Sequence, residues 1–282
     1  MAVILAFASA AVFALGTVLQ QRVVMAAPEA RQASAGILFR LIQHPVWLAG
    51  IAAYGIGFGL QAAALGDGRL VVVQPILATT IVFALPLGVW LSAQRITGRD
   101  VVAALVVTAG LALFLVLADP SGGKQDAPIG QWVVAGAVVI GLAAGLLAGG
   151  LARTGALRAA LLGTASGLLF GLVSALTKGA VEVLQDDGAE VLVNWHLYAL
   201  IVIGFAGMTI TQLSLQTGIL PPAVATSSIF NPAASVVLGL TLFDEQIHHS
   251  TSGRIGAVLA LLAMFGGIAA LAFGRRPAAP GG

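Results

Sequence analysis

Polar side chains within the long apolar stretches of this chain are the residues whose chemistry matters most. Lys178 follows Ser174 and Thr177 in an otherwise apolar run, and Glu182 comes one helical turn later. Because a polar group is costly in lipid, each is a candidate for binding before it is a structural feature. Lys178 would supply a counter-charge for an anionic group, or a coupling element. The alternatives are that it pairs with Glu182 or extends its ammonium group to the outer interface.

Two amide side chains directly precede prolines in apolar runs, in Gln74-Pro75 and in Asn231-Pro232. A proline inside a helix removes one backbone donor and leaves a carbonyl free about one turn earlier. Such free oxygens, beside an amide, can bind a solute or an ion. The alternative is a kink whose free groups are satisfied by neighbouring hydroxyls, those of Thr79, Thr80, Ser227 and Ser228.

Three further glutamines complete the set of candidates. Gln61 and Gln212 occupy matching places in two similar segments, and Gln20 lies in the first apolar run at the place that corresponds to Thr177. Amides both donate and accept hydrogen bonds, which suits a neutral or zwitterionic solute. The alternative is hydrogen bonding between helices, worth about 1 kcal/mol per bond.

Residue types that support catalysis do not form any recognisable pattern. The chain has no cysteine, its four histidines fall at the ends of apolar runs, and no acidic residue lies near the middle of one. A nucleophile elbow, a P-loop and a metalloprotease motif are all missing from the sequence. We therefore expect neither an enzyme nor a cofactor, and the sequence assigns no metal ligands.

The composition requires that lipid solvate the chain. Of its 282 residues, 59% are hydrophobic and 9% are charged, which is too little polar surface for a water-soluble globule. A helix needs about 20 apolar residues to cross the hydrocarbon core. Nine spans are predicted, at about 2–24, 45–66, 70–92, 100–118, 130–151, 159–182, 196–217, 221–243 and 254–273. The fold class is therefore an all-α integral membrane protein.

Basic residues predict the orientation, because basic loops remain in the cytoplasm. One side collects Arg22, Arg31, Arg40, Arg95, Arg99, Arg153, Arg158, Arg275 and Arg276, and the other collects Arg69, Lys124 and Arg254. This predicts a multi-pass protein of the plasma or inner cell membrane, with its N-terminus outside and its C-terminus in the cytoplasm. Acidic residues, Glu245 among them, collect outside; we expect them to be solvated, or alternatively to gather cations.

Two halves of the chain are similar. Residues 44–97 align without gaps to 195–248 at an offset of 151, and the first span aligns to the sixth at an offset of 157. Five spans precede the second copy, and an odd number makes the two copies enter the membrane in opposite directions. The prediction is an inverted repeat, with spans 1–5 in residues 1–151 and spans 6–9 in residues 152–282.

Short motifs of small and apolar residues extend over nearly the whole chain: Phe13 to Gln21, Trp47 to Gly50, Gly55 to Gly57, Leu70 to Pro75 and Ser166 to Gly179. With them the chain resembles the drug/metabolite transporter superfamily (DMT, EamA-like), nearest the NIPA-like magnesium transporters. The resemblance implies the DMT/EamA-like fold and a central cavity reached alternately from each side. In the magnesium branch an acidic residue usually follows the glycine at the place of Gly57; here Phe58 follows, which disfavours magnesium.

The sequence therefore predicts a carrier that moves a small organic solute by alternating access. Candidate substrate-binding residues are Gln20, Gln61, Gln74, Ser174, Thr177, Lys178, Gln212, Ser228 and Asn231. One alternative is a NIPA-like transporter of magnesium or another divalent cation; another is a lipid-carrier flippase or a non-transporting membrane partner. The expected partners are a small-molecule or ion substrate and membrane lipid, with a homodimer left open. The small net charge of +2 is scattered, so no nucleic acid is expected.

Overall fold

A computed structural model describes residues 1–26, 43–92, 97–119, 121–123, 126–217, 220–247 and 250–274. Its helices are α1 (Ala2–Ala26), α2 (Pro45–Asp67), α3 (Leu70–Ala78), α4 (Thr80–Ser92), α5 (Gly98–Ala118), α6 (Ile129–Leu151), α7 (Gly155–Asp187), α8 (Trp195–Leu215), α9 (Leu220–Leu242) and α10 (Thr251–Gly274). A 3-10 helix, Gly188–Leu192, follows α7. Two short strands, β1 (Ser121–Gly122) and β2 (Glu245–Gln246), pair antiparallel.

Nine spans among the described residues are long and apolar enough to cross a membrane, with α3 and α4 together forming one of them. Large apolar side chains on the helix surfaces remain exposed, including Trp90, Val116 and Phe205. A chain in lipid must satisfy its backbone groups internally, and helices do so within each segment. The predicted all-α membrane protein is therefore confirmed at the level of its nine apolar helices.

The third span is broken at Thr79, four residues after the proline on which a kink was predicted. The helix continues through Pro75 to Ala78, and α4 starts at Thr80. Thr79 Oγ1 donates to the Ile76 carbonyl at 2.6 Å, and Thr80 Oγ1 donates to the Leu77 carbonyl at 2.7 Å. The threonine hydroxyls thus bond to carbonyls beside the break, and not to the Val71 carbonyl, which is the one that Pro75 leaves without its helical donor.

Helix α7 is the central element of the second half, and most of its residues are buried. It packs against α6, α8 and α9. Gly167 and Gly171 allow the closest approach: an added Cβ at Gly167 would lie 2.9 Å from the Ser227 carbonyl oxygen, and one at Gly171 would lie 3.0 Å from the Asn231 carbonyl oxygen. Small residues therefore bring the backbones of α7 and α9 together, the packing that membrane helices commonly use.

Similar close contacts join helices elsewhere. Helix α1 packs against α2, α3 and α4, and α5 packs against α10. Gly16 and Gly50 approach each other's carbonyl oxygens between α1 and α2, with an added Cβ at 3.0 and 3.1 Å respectively. Gly110 and Gly267 do the same between α5 and α10, at 3.0 Å from the Ala260 carbonyl and 2.9 Å from the Ala103 carbonyl.

One end of the bundle collects the start of α1 and several loops. An added Cβ at Gly68 would lie 2.5 Å from Ala2 Cβ, so the N-terminus lies beside the α2–α3 connection. The β1–β2 pair joins the segments that follow α5 and α9 at this same end. We call it the outer end, in keeping with the predicted orientation. The inner end is the opposite one, where α7 begins at Gly155 and α8 ends at Leu215.

Candidate functional site

A buried ion pair lies at the outer end between α7 and β2. Lys178 Nζ is 2.6 Å from Glu245 Oε1, and the two side chains are 8% and 0% exposed. Lys178 therefore does not use Glu182 as its ion-pair partner, which corrects one alternative drawn from the sequence. It also corrects the expectation that Glu245 is a solvated loop residue.

The Glu245 carboxylate also caps the N-terminus of α3. Its Oε1 accepts from the Leu70 N–H and its Oε2 from the Val71 N–H, both at 2.8 Å. The residue before the helix, Arg69, provides no side-chain cap. The first N–H groups of a helix lack partners within the helix and carry partial positive charge, so a carboxylate there is favourable. Three donors from α3 and α7 thus bind one carboxylate; we call this group, Lys178, Glu245 and the N–H groups of Leu70 and Val71, the outer lock.

Two neighbouring residues shape the outer lock. The Lys178 ammonium lies 4.4 Å from the centre of the Phe243 ring, within the range of a cation–π interaction. Gly239 leaves the room that the carboxylate needs, because an added Cβ there would lie 2.6 Å from Glu245 Oε2. A side chain at position 239 would therefore displace Glu245.

Two further contacts tie the outer loops together. Ser121 pairs with Gln246 and Gly122 with Glu245 in the β1–β2 ladder. Arg69 Nε donates to the Gly122 carbonyl at 2.9 Å. Since β1 follows α5, β2 follows α9 and Arg69 precedes α3, these bonds join three connections at the outer end.

A second polar group lies beside the outer lock, around His196 at the start of α8. Its Nδ1 is 2.7 Å from Asn194 Oδ1, and its Nε2 is 3.5 Å from Asp126 Oδ1. The ring packs on α7 at Gly179, where an added Cβ would lie 2.8 Å from it. His196 is 1% exposed. His196 lies at the end of a span, as the sequence indicated, and its ring is buried among protein side chains.

Asp126 accepts hydrogen bonds from Trp132 Nε1 at 2.9 Å and from the Ala127 N–H at 2.7 Å. Burial tends to raise the pKa of this carboxyl, but these bonds and the nearby His196 outweigh burial and hold the pKa below its ordinary value. The Asp126 carboxylate thus anchors the start of α6 to the start of α8.

Below the outer lock, toward the membrane centre, polar residues differ in whether their side-chain atoms have hydrogen-bond partners. Ser174 Oγ donates to the Phe170 carbonyl at 3.0 Å, and Thr177 Oγ1 donates to the Val173 carbonyl at 2.8 Å. By contrast Gln74 Nε2 and Asn231 Oδ1 are buried and have no hydrogen-bond partner in the described part of the chain. A buried polar atom without a partner costs about 1–3 kcal/mol, so such atoms require an explanation. Three other atoms in the described part of the chain share this property, Arg158 Nε, Glu182 Oε2 and His196 Nε2, and they belong to ionisable side chains outside the stretch below the outer lock.

The remaining candidates lie in other places. Gln61 is buried on α2, whereas Gln212, its counterpart on α8, is exposed on the surface of the bundle. Gln20 lies beside Gly50 toward the inner end, since an added Cβ at Gly50 would lie 2.8 Å from Gln20 Cγ. Ser228 is part-buried on α9. Four candidates therefore lie at similar depths near the outer end: Lys178, Ser174, Thr177 and Gln74. Gln20 lies toward the inner end, and Gln212 lies on the surface of the bundle.

The sequence carries a signal for Glu245. The residue directly before Leu70 is Arg69, which has no side-chain acceptor, so the first N–H groups of the helix require an acceptor from elsewhere in the chain. Glu245 follows span 8 on the same predicted side of the membrane. An uncapped buried helix start together with a lone lysine would have pointed to a shared carboxylate.

An apolar groove of about 380 Å³ lies between α6, α7 and α8. Trp132, Trp195, Tyr198, Leu172 and Leu176 are among the residues that line it. Neither Gln74 nor Asn231 does so, and the groove is separate from their unpaired atoms. In the part of the chain that the structure describes, no group of three or more histidine, aspartate and glutamate side chains is arranged to hold a metal ion.

These features define a multi-helix membrane protein with a buried charge network at one end. The chain is 30% identical over 285 aligned positions to an uncharacterized protein of Corynebacterium glutamicum, an alignment that covers 100% of this chain and 97% of the relative. The chain belongs to the same family as this corynebacterial protein. No family model matches the chain, and no solved structure does.

Proposed function

We propose that the protein is a carrier of the DMT type that moves a small organic solute by alternating access, and that the outer lock is its outer gate. The observation that carries the proposal is the outer lock itself. It joins α3, from the first proposed repeat, to α7 and β2, from the second. Alternating access needs contacts between two halves that can form at one end and be released there.

Helix directions and packing support an inverted repeat. The start of α1 lies at the outer end beside Gly68, and α7 carries Lys178 near its C-terminal end, also at the outer end. The two helices, each first in its proposed repeat, therefore run in opposite directions. Helix α1 packs against the helices of spans 2 and 3, and α7 packs against α8 and α9, the corresponding spans 7 and 8. The opposite helix directions and the corresponding packing are both expected if the two halves form an inverted repeat.

The repeat alignment predicts a weaker closure at the inner end. At the offsets given above, Lys178 corresponds to Gln21 and Glu245 to Gln94. Leu70 and Val71 correspond to Pro221 and Pro222, and proline has no backbone N–H to donate. In the other repeat, neutral residues thus correspond to Lys178 and Glu245, and prolines correspond to the two residues that donate backbone N–H groups. We infer that the solute-free protein rests closed outside and opens more readily to the cytoplasm.

Cysteine labelling tests the proposal directly, because the chain has no cysteine of its own. Ser174→Cys places a thiol one turn below Lys178. In intact cells this thiol should react slowly with a membrane-impermeant maleimide, and adding Glu245→Gln should raise its reaction rate about tenfold, the change expected for about 1.4 kcal/mol of gate opening. Ser227→Cys, on α9 toward the inner end, should become less reactive from the cytoplasmic side at the same time.

Glu190→Cys on the exposed 3-10 helix is the control, and its labelling should not change with Glu245→Gln. Equal labelling of Ser174→Cys with and without Glu245 would reject the gate. If both thiols become more reactive together, the lock is a structural contact and not part of an alternating mechanism. Magnesium flux into proteoliposomes with no response to any organic solute would favour the divalent-cation alternative.

A further inference from the structure

The unpaired amide atoms below the outer lock indicate what kind of solute is carried. Gln74 is 2% exposed and its Nε2 has no partner among the described residues; the buried Oδ1 of Asn231 also has none. One atom is a donor and the other an acceptor. Other polar side chains at similar depth, such as Ser174 and Ser235, donate to carbonyls of their own helices. Among the described residues below the outer lock on α3, α7 and α9, the two amides are thus the neutral side chains with a buried polar atom that has no partner.

The two amides lie at successive depths under the outer lock. Gln74 is one turn, about 6 Å, further in than Leu70 on α3. Asn231 packs at Gly171 of α7, which is seven residues, about 10 Å, further in than Lys178. Helices α3 and α9 pack against each other, and α9 packs against α7. The donor and the acceptor therefore lie on neighbouring helices, and both lie further in than the outer lock.

Charge at this depth is balanced. Lys178 and Glu245 neutralise each other. Between Arg158 and Lys178 helix α7 has no ionisable residue, and α3 and α9 have none in their sequences. A charged solute brought below the lock would find no counter-charge on these helices, and an unpaired charge in a low-dielectric site is strongly unfavourable. A solute at this depth would therefore be recognised by hydrogen bonds and not by opposite charge.

We propose that Gln74 and Asn231 bind an uncharged solute that offers both a hydrogen-bond acceptor and a donor, such as an amide, a sugar or a nucleoside. The Gln74 NH₂ group donates to the solute, and the Asn231 carbonyl oxygen accepts from it. This inference rests on the proposed carrier function. It also accounts for the two unpaired buried polar atoms, since a group that binds a solute has no hydrogen-bond partner in the protein when the solute is absent.

Stability measurements separate this role from a structural one. In Gln74→Leu and Asn231→Leu an unpaired buried polar group is replaced by an apolar one of similar size, so the solute-free protein in detergent should unfold at the same temperature or higher. Ribose, adenosine and acetamide are the uncharged probes, and acetate, methylammonium and magnesium ions are the charged ones. At equal millimolar concentration, at least one uncharged probe should raise the unfolding temperature by several degrees. Both leucine variants should lose that rise.

Thr164→Ala is the matched control, because its hydroxyl is already bonded to the Ala160 carbonyl within α7 and the probe response should persist. A clear fall in the unfolding temperature of the leucine variants would overturn the inference, as would stabilisation by charged probes only or by none of the six. In those cases the labelling of Ser174→Cys still decides the carrier function separately. If labelling fails to depend on Glu245 while an uncharged probe binds, the amides form a binding site in a protein that is not a carrier of this kind.

Discussion

The two ends of the bundle are held together by different contacts. At the outer end a carboxylate accepts bonds from two helices, strands from two connections pair, and Arg69 donates to the Gly122 carbonyl. At the inner end the described contacts include helix packing, hydroxyl bonds and a capped helix start. Gly163 lies against the Ala223 carbonyl, Ser214 Oγ donates to the Ala159 carbonyl at 2.9 Å, and the buried Asp100 carboxylate accepts from the Thr97 N–H at 2.9 Å. Among the described residues, the outer end thus has a buried ion pair between helices, and α7 is held at the inner end by close packing.

This difference determines how each end can change. A charge network that is buried opens by one discrete event, the separation of an ion pair, and its strength responds to charge substitution. Packed backbones respond to added volume instead, because there is no space for an extra methyl group. The outer end should therefore be sensitive to residues that alter charge and the inner end to residues that alter size.

Removal of one partner of the outer lock should give the largest effect. Lys178→Met or Glu245→Gln leaves the other group buried without its partner, and each should lower the free energy of unfolding by about 3–5 kcal/mol. The double variant should cost clearly less than the sum of the two. Denaturation in detergent measures all three, and Glu190→Gln on the exposed 3-10 helix is the control, expected within about 0.5 kcal/mol of the parent. Additive losses would mean that the two residues do not stabilise each other.

Added volume at the inner end should give a smaller loss. Gly163→Ala places a methyl group against the Ala223 carbonyl and Thr226 Oγ1. It should cost about 1–3 kcal/mol by forcing α7 away from α9. Gly145→Ala on α6, where an added Cβ meets nothing within 4 Å, is the matched control and should be neutral or stabilising, since alanine favours a helix by about 1 kcal/mol over glycine. Equal losses in both variants would show that the close approach at Gly163 is unimportant.

Acid sensitivity at Asp126 should be the smallest effect. Because its pKa is lowered in the folded protein, the carboxylate stabilises the fold above the unfolded pKa of about 4, and that contribution is lost as the pH falls through the lower folded value. The side chain is 41% exposed, so the contribution should be below about 1 kcal/mol. Unfolding temperatures measured from neutral to acidic pH should converge for the parent and Asp126→Asn at the acidic end. A constant difference at every pH would exclude this linkage.

The sequence alone was sufficient for the nine spans, because length and hydropathy determine which segments cross a membrane. It also identified Lys178, since a lysine in an apolar run is conspicuous. The sequence did not identify Glu245 as the partner of Lys178, because two glutamates are suitable. Glu182 has the helical spacing of an ion pair, and Glu245 lies on the same predicted side of the membrane. Only tertiary structure decides between them: the free N–H groups of α3 and the space at Gly239 favour Glu245.

The helix break and the glutamines were harder to predict for local reasons. Pro75 marks a weakened helix, but the chain bends where Thr79 and Thr80 bond to preceding carbonyls and compete with the helical pattern. The repeat predicts corresponding places for Gln61 and Gln212 but not equal burial, since the helices around α2 and α8 differ. The repeat alignment determines which residues correspond, whereas the packing of neighbouring helices determines the contacts and the burial of each residue.

The length of α7 has a consequence for the lipid around the protein. Its 33 residues make a rod of about 50 Å, whereas the hydrocarbon core is about 30 Å thick. A straight helix of this length projects from the bilayer or leans within it, and a thinner bilayer increases the lean. Because α7 packs against α6, α8 and α9, these helices should lean together with it. The tilt of the bundle should therefore differ between short-chain and long-chain membranes.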